Sequence, residues 1–97
     1  MAVRLTVKVI GYSPGLFSRR VFEFDLPEGS TMKDVFIRLS SEAHDGYDKA
    51  IYDRERGKMN EYLAVFLNSR EIRSIGGPGT PVKDGDTVTI IPPMAGG

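Results

Sequence analysis

The residues whose types and order indicate a chemical role lie in the carboxyl-terminal segment. It reads Pro92-Pro93-Met94-Ala95-Gly96-Gly97. We expect its reactive group to be a free carboxylate on Gly97. Proline donates no backbone hydrogen bond and holds the preceding residue extended, so the segment must leave any sheet at Pro92. Six extended residues reach roughly 20 Å, which is long enough to enter a partner's active site while the folded part stays outside.

The two terminal glycines have a steric role in this interpretation. Without Cβ atoms, Gly96 and Gly97 can pass through a channel too narrow for other residues and can bend at the reacting carbonyl. Chain ends are often small and flexible without any function, and a cloning scar would look similar. The direct attachment of the glycines to a strand through two prolines favours a functional tail.

The elements that must position this tail are visible as periodic patterns. Two stretches alternate apolar and polar residues in the first third of the chain, which predicts strands buried on one face. A third of the way along, apolar residues recur with helical spacing after a Ser30-Thr31 N-cap. The predicted order is strand 3–10, strand 21–26, helix from 32 fading near 44–46, strand 62–67, short strand 71–73 and strand 87–91.

The connections are less regular. Residues 45–61 contain a mixed-charge run, Asp53 to Lys58, and we interpret them as a solvated loop with room for a short helix. Residues 74–81 contain Gly76-Gly77-Pro78-Gly79, which predicts a flexible surface loop. Residues 83–86 form a tight turn around Gly85.

Composition limits the classes of function. The 97 residues suggest one domain with a modest core. Thirteen basic and thirteen acidic residues cancel, which argues against nucleic acid as the main partner. No apolar run approaches the length of a membrane span, and the amino terminus lacks a signal-peptide pattern. The absence of cysteine fits a reducing compartment, so we expect a cytoplasmic protein without membrane contact.

Other candidate sites are weaker. His44 is the single histidine and has no neighbouring cysteine or serine with which to form a nucleophilic constellation. Asp84 and Asp86 flank a glycine in the manner of an ordinary turn rather than a cation site. We therefore predict no metal site and no cofactor bound by this chain.

Hairpins at both ends that flank one helix define an α+β fold with a mixed sheet. When the first and last strands lie side by side and parallel in its centre, the arrangement is the β-grasp, or ubiquitin-like, fold. We predict four to five strands with one main helix packed on one face. Residues 1–91 form this domain, 45–61 are a variable insertion, and 92–97 are the extended tail.

Residues 83–97, KDGDTVTIIPPMAGG, resemble the carboxyl end of the ubiquitin-like sulfur carriers, and of the molybdopterin synthase small subunit in particular. The Asp-Gly-Asp turn, the apolar strand, the proline pair and the Gly-Gly end stand in that order. LAVFLNSREI at 63–72 is similar to the family's third strand and its turn. Residues 45–61 depart from the shortest members.

The resemblance implies a carrier that is not catalytic alone. A ubiquitin-activating-type adenylating enzyme would use ATP to form an acyl-adenylate on Gly97. Sulfur supplied by a sulfurtransferase would then replace AMP, giving a thiocarboxylate. The large catalytic subunit of molybdopterin synthase would receive this tail and transfer its sulfur to a pterin precursor. The same chemistry would also serve thiamine, tRNA thiolation or cysteine synthesis, and a protein modifier conjugated to lysines is a further alternative.

The surface that docks on these partners is predicted less sharply. If Val88 and Ile90 point inward, Ile91 and Phe66 lie on the sheet face away from the helix. Apolar groups near the exit of the tail would form a docking patch. The alternative is that Ile91 and Phe66 only pack against each other or against a loop.

Overall fold

The structure is a computed structural model that describes residues 2–11, 17, 19–44 and 47–92. Within them no helix combines the length and the apolar character needed to cross a membrane. The regular elements are β1 Ala2–Val9, β2 Val21–Pro27, α1 Met32–Ser40, β3 Tyr52–Asp53, β4 Lys58–Met59, β5 Ala64–Leu67, β6 Arg70–Glu71 and β7 Thr87–Ile91.

The main sheet has five strands in the order β2-β1-β7-β5-β6, so β1 and β7 lie side by side in its centre. These two strands run parallel, with Val7 aligned to Val88. Strands β2 and β5 are antiparallel to their central neighbours. Apolar residues alternate with polar ones in both central strands, so each strand buries one face. The predicted parallel pairing of the first and last strands is confirmed.

Helix α1 covers the buried face of this sheet. The Thr31 N–H donates to Asp34 Oδ2 at 2.9 Å and fixes the first turn, where a carboxylate is also favoured by the helix dipole. The predicted end near 44–46 is wrong, because the helix ends at Ser40. Ser41 Oγ donates to a helix carbonyl three residues earlier, at 2.6 Å. Such serine-to-backbone bonds compete with continuation of the helix.

The core lies between α1 and the inner face of the sheet. Burying each large apolar side chain contributes roughly 1.5–3 kcal/mol. The fully buried side chains of this layer include Leu5, Val7, Met32, Val35, Phe36, Leu39, Val65, Val88 and Ile90.

The insertion at 45–61 is more ordered than predicted. The short helix that the prediction allowed for is present as a 3-10 helix at Asp48–Ala50, and the additional order is the hairpin in which β3 pairs with β4. Ile51 is fully buried. The ring of Tyr52 stacks on Phe36 of α1 with ring centroids 6.1 Å apart. The interpretation as a solvated loop is therefore wrong for this part, which completes the core beside α1.

The mixed-charge run forms the turn of that hairpin. Asp53 Oδ1 accepts the N–H groups of Glu55 and Arg56 at 3.0 and 3.3 Å, and Gly57 has a φ of 67°. An aspartate that bonds the backbone ahead of it and a glycine with positive φ are the usual means of closing a tight turn. The charged side chains from Arg54 to Lys58 are exposed, as predicted.

The segment after β5 differs from the prediction in its boundaries. The short strand β6 pairs Arg70 with Leu67, one residue earlier than the predicted 71–73. A 3-10 helix, Ile72–Ser74, follows it. Glu71 accepts the Ser74 N–H at 3.2 Å and so caps this short helix. Local capping thus ends the strand before residue 72.

Residues 74–81 are not simply a surface loop. The Met32 N–H donates to the Thr80 carbonyl at 2.8 Å, and the Val82 N–H donates to the Ser30 carbonyl at 3.1 Å. Thr80 and Val82 are buried. These bonds satisfy backbone groups at the amino end of α1, where the helix itself offers no partner.

Candidate functional site

The base of the tail lies at the end of the central strand β7. The Ile10 N–H donates to the Ile90 carbonyl at 2.8 Å, and Ile91 pairs with Ala64 of β5. Strand β7 is therefore held by β1 up to Ile90 and by β5 up to Ile91, its last residue. Pro92 follows and is half-buried. Since proline cannot donate to a ladder, pairing ends there as predicted.

Most of the predicted tail lies outside the described residues. Pro93, Met94, Ala95, Gly96 and Gly97 belong to that part, and their roles in threading and in chemistry stay predictions. What the structure describes is the anchor from which they continue.

The sheet face opposite α1 carries both predicted docking residues. Phe66 pairs with Thr89, and Ala64 pairs with Ile91. Phe66 and Ile91 are therefore diagonal neighbours on adjacent strands. Ile91 is 39% exposed and Phe66 is half-buried. Their placement on the outward face agrees with the alternation predicted for β7, and their role in docking stays a prediction.

Sequence reasoning missed two further residues on this face. Ile10 follows β1 next to the aligned Val9–Ile90 pair, and Val21 pairs with Lys8. Their side chains are 48% and 53% exposed. The signal was present in the sequence, because the outward positions next to them on the same strands are polar: Lys8 before Ile10 and Glu23 after Val21. The apolar exit cluster consists of Ile10, Val21, Ala64, Phe66 and Ile91.

The other end of the same face is charged. Arg4 and Asp25 are cross-strand partners, and the guanidinium donates two hydrogen bonds to the carboxylate, at 2.9 and 3.2 Å. This hydrogen bonding lowers the pKa of the Asp25 carboxyl below its ordinary value and raises the pKa of Arg4. The outward face thus changes from an ion pair at one end to apolar side chains where the tail leaves.

Replacing Arg4 by glutamine (Arg4→Gln) is expected to return the pKa of Asp25 towards its ordinary 3.8. Because the folded-state pKa is the lower one, the pair stabilises the fold above about pH 3.8 and loses this effect as the pH falls through the folded-state pKa. An NMR titration of the Asp25 carboxyl measures the shift. Lys8→Gln, on the same strand and face, should leave it unchanged. An equal pKa in the wild type and Arg4→Gln would contradict the assignment.

The aspartates at 84 and 86 serve the turn before β7. Asp84 Oδ1 accepts the Arg4 N–H at 2.7 Å, and Asp86 Oδ2 accepts the Lys83 N–H at 2.8 Å. Asp86 Oδ1 also accepts from the Asn68 side chain at 3.1 Å. These bonds fix where β7 begins. Among the residues that the structure covers, no group of three or more His, Asp or Glu side chains is placed to hold a metal ion.

A parallel central pair of strands in a five-stranded sheet with one helix across it defines a ubiquitin-like β-grasp protein. The ThiS family model matches residues 16–97. The chain belongs to this family of ubiquitin-like sulfur carriers, which confirms both the predicted fold and the family resemblance.

Individual relatives agree with this membership. The sulfur carrier protein CysO of Mycobacterium tuberculosis is 33% identical over 70 residues, which are 71% of this chain and 74% of CysO. Small archaeal modifier protein 3 of Haloferax volcanii is 34% identical, over 72% of this chain and 73% of its own.

Solved structures give the same result. The Haloferax volcanii HVO 2177 protein matches with a TM-score of 0.79 and 25% identity, over 99% of this chain and 88% of its own. The structure of the Amycolatopsis orientalis BexX/CysO complex contains a chain that is 30% identical. It matches with a TM-score of 0.67, over 96% of this chain and 99% of its own.

Proposed function

We propose that this chain carries sulfur as a thiocarboxylate on Gly97, formed after a ubiquitin-activating-type enzyme has adenylated that residue. The observation that carries the proposal is the end of β7. Pairing with β5 reaches Ile91 and pairing with β1 reaches Ile90, and Pro92 then ends the strand. Five residues ending in two glycines follow. A rigid anchor followed by a narrow segment suits delivery of a terminal carbonyl into another protein.

The chemistry explains why the carrier needs a partner. A carboxylate is a poor electrophile because an oxide would have to leave. When a Gly97 carboxylate oxygen attacks the α-phosphorus of ATP, pyrophosphate leaves and an acyl-adenylate forms. The outer sulfur of a sulfurtransferase persulfide then attacks the carbonyl carbon and AMP leaves, giving an acyl disulfide. A thiol reductant cleaves its S–S bond, becomes part of a disulfide with the sulfurtransferase cysteine, and releases the thiocarboxylate. The carrier's own contribution is to hold the carbonyl in the partner's site, which makes the encounter effectively intramolecular.

Mass spectrometry of the intact chain tests this proposal. Incubation with the activating enzyme, ATP and a sulfur donor should raise its mass by the difference between one sulfur and one oxygen atom. An unchanged mass under conditions in which the enzyme acts on another carrier would contradict it.

The apolar exit cluster is the surface that we propose to dock on the partner. Ile91 is the last residue of β7, Ala64 is its partner on β5, and Ile10 follows the part of β1 that pairs with β7. A protein that encloses the tail would therefore approach this part of the cluster. Interfaces take most of their energy from a few such buried apolar anchors. The alternative remains that Phe66 and Ile91 only pack on each other.

Phe66→Ala and Ile91→Ala are each expected to raise the KM of the activating enzyme for the carrier about tenfold, with little change in kcat. The contacts that these substitutions remove are the same in the bound complex and in the transition state. Their loss therefore weakens binding of the carrier and leaves the rate of the chemical step almost unchanged. Steady-state assays of pyrophosphate release measure the effect, with thermal melting as a check on folding. Ile37→Ala, a partly buried apolar residue on α1, is the control. Equal KM values for all variants would contradict docking through this cluster.

For the acceptor we propose the pterin precursor of molybdopterin, reached through the large subunit of molybdopterin synthase. The order of Pro92-Pro93 and the Gly-Gly end supports this choice. A cysteine precursor is the second candidate, favoured by the identity with proteins named sulfur carrier protein CysO. The thiocarboxylated chain should lose its extra mass with the matching acceptor system and keep it with the other.

A protein modifier is the remaining alternative, and the similarity to the relative named small archaeal modifier protein 3 supports it. It predicts conjugates of higher mass on lysines in cell extracts, in place of a free thiocarboxylate. These conjugates would disappear when Gly97 is removed.

A further inference from the structure

Tyr62 is an exposed aromatic residue that the fold itself does not require. Its side chain is 72% exposed, whereas that of the next residue, Leu63, is almost fully buried. The predicted strand 62–67 includes Tyr62, but β5 begins only at Ala64. Tyrosine is enriched at protein interfaces, where its ring supplies apolar area and its hydroxyl a hydrogen bond.

The backbone that carries Tyr62 is firmly held. The Tyr62 N–H donates to Asn60 Oδ1 at 2.9 Å. The Arg73 guanidinium donates to the carbonyls of Leu63, Glu61 and Asn60 at 2.8, 2.9 and 3.3 Å. One side chain thus satisfies three carbonyls of a segment outside any strand. An exposed aromatic on a fixed backbone loses little conformational freedom on binding, which favours affinity.

Its location relates it to the tail. Ala64, two residues after Tyr62, pairs with Ile91, so Tyr62 lies at the end of the sheet where the chain leaves β7. Five residues follow Pro92, and they span at most about 17 Å. A protein that encloses Gly97 must therefore approach this end of the sheet. Tyr62 precedes Ala64, a member of the apolar exit cluster, by two residues, so it lies close to that cluster along the chain.

We propose that Tyr62 is a recognition anchor for the adenylating enzyme, seated in an apolar recess beside the channel that takes the tail. Arg73 is its positioning residue. This inference rests on the proposed function and adds a contact outside the apolar exit cluster. It gives the segment that joins the insertion to β5 a role in the choice of partner.

Pyrophosphate release by the adenylating enzyme, with the full-length carrier varied in concentration, tests the inference. Tyr62→Ala is expected to raise KM about tenfold or more with kcat unchanged. Tyr62→Phe should keep most of the affinity, because the ring supplies the apolar contact. Tyr47→Ala removes a tyrosine that is 50% exposed but lies next to the short 3-10 helix of the insertion, and it should change KM less than twofold.

The outcomes separate the two proposals. If the wild type is adenylated and Tyr62→Ala has the same KM as the wild type, the role of Tyr62 as an anchor is overturned. The same holds if Tyr47→Ala raises KM as much as Tyr62→Ala does. In both cases the proposed carrier function stands. An equal increase in KM for Tyr62→Phe and Tyr62→Ala would overturn the proposal that an apolar recess receives the ring. If the wild type itself releases no pyrophosphate, the proposed function fails, and the anchor fails with it. Melting temperatures equal to the wild type establish that the variants are folded.

Discussion

Deletion of Gly97 is expected to abolish the gain in mass that the wild-type chain shows with its activating enzyme, ATP and a sulfur donor. The deletion moves the terminal carboxylate to Gly96, one residue closer to β7. The shortened tail then reaches about 3.3 Å less far. A misplacement of this size removes most of the advantage of an oriented reaction, which amounts to several powers of ten in rate.

Two variants make this result specific. Met94→Ala keeps the length and both glycines and should gain the same mass as the wild type. Gly96→Val keeps the length but adds a branched side chain next to the reacting carbonyl, so it should lose the mass gain if the tail enters a narrow channel. A mass gain in the Gly97 deletion equal to that of the wild type would contradict the assignment of the reactive residue.

Ile51→Ala is expected to be the most destabilising of the substitutions considered for the insertion. Ile51 is fully buried, and shortening a buried isoleucine to alanine costs about 2–5 kcal/mol because apolar contacts are lost and a cavity remains. The total free energy of unfolding of a domain of this size is roughly 5–15 kcal/mol. Urea denaturation should show a much lower midpoint with an unchanged slope.

Arg54→Ala is the matched control from the same segment. Its side chain is exposed in the hairpin turn, and such surface changes stay within about 0.5 kcal/mol. If Ile51→Ala were as mild as Arg54→Ala, the insertion would not belong to the core, and the solvated-loop interpretation would be restored.

The insertion also shows where reading a sequence locally fails. Periodicity reports a buried face only when several apolar residues recur at regular spacing, and before its charged run the segment offers only Tyr47, Ala50, Ile51 and Tyr52. The burial of Tyr52 involves Phe36 of α1, on which its ring stacks. The hairpin likewise depends on Asp53 accepting two backbone N–H groups, a contact that composition alone does not reveal.

The apolar exit cluster is a second feature that local sequence patterns revealed only in part. Alternation placed Phe66 and Ile91 on the outward face, because inward and outward positions follow from the neighbouring residues. The addition of Ile10 and Val21 required the pairing of β7, near the end of the chain, with the hairpin of β1 and β2 at its beginning. Strand register is set by contacts across the whole sheet and is not encoded in any one strand.

The sequence by itself determined the order of the main strands and helix and the end of pairing at Pro92, and the resemblance of residues 83–97 indicated the family. The order of elements and the end of pairing follow from local chemistry: alternation, helical spacing and proline. Only the tertiary structure decided that the insertion fills the core, that α1 ends at Ser40, and that Tyr62 lies exposed at the end of the sheet where the chain leaves β7. These depend on which distant residues meet, because burial and register are properties of the packed sheet and helix together.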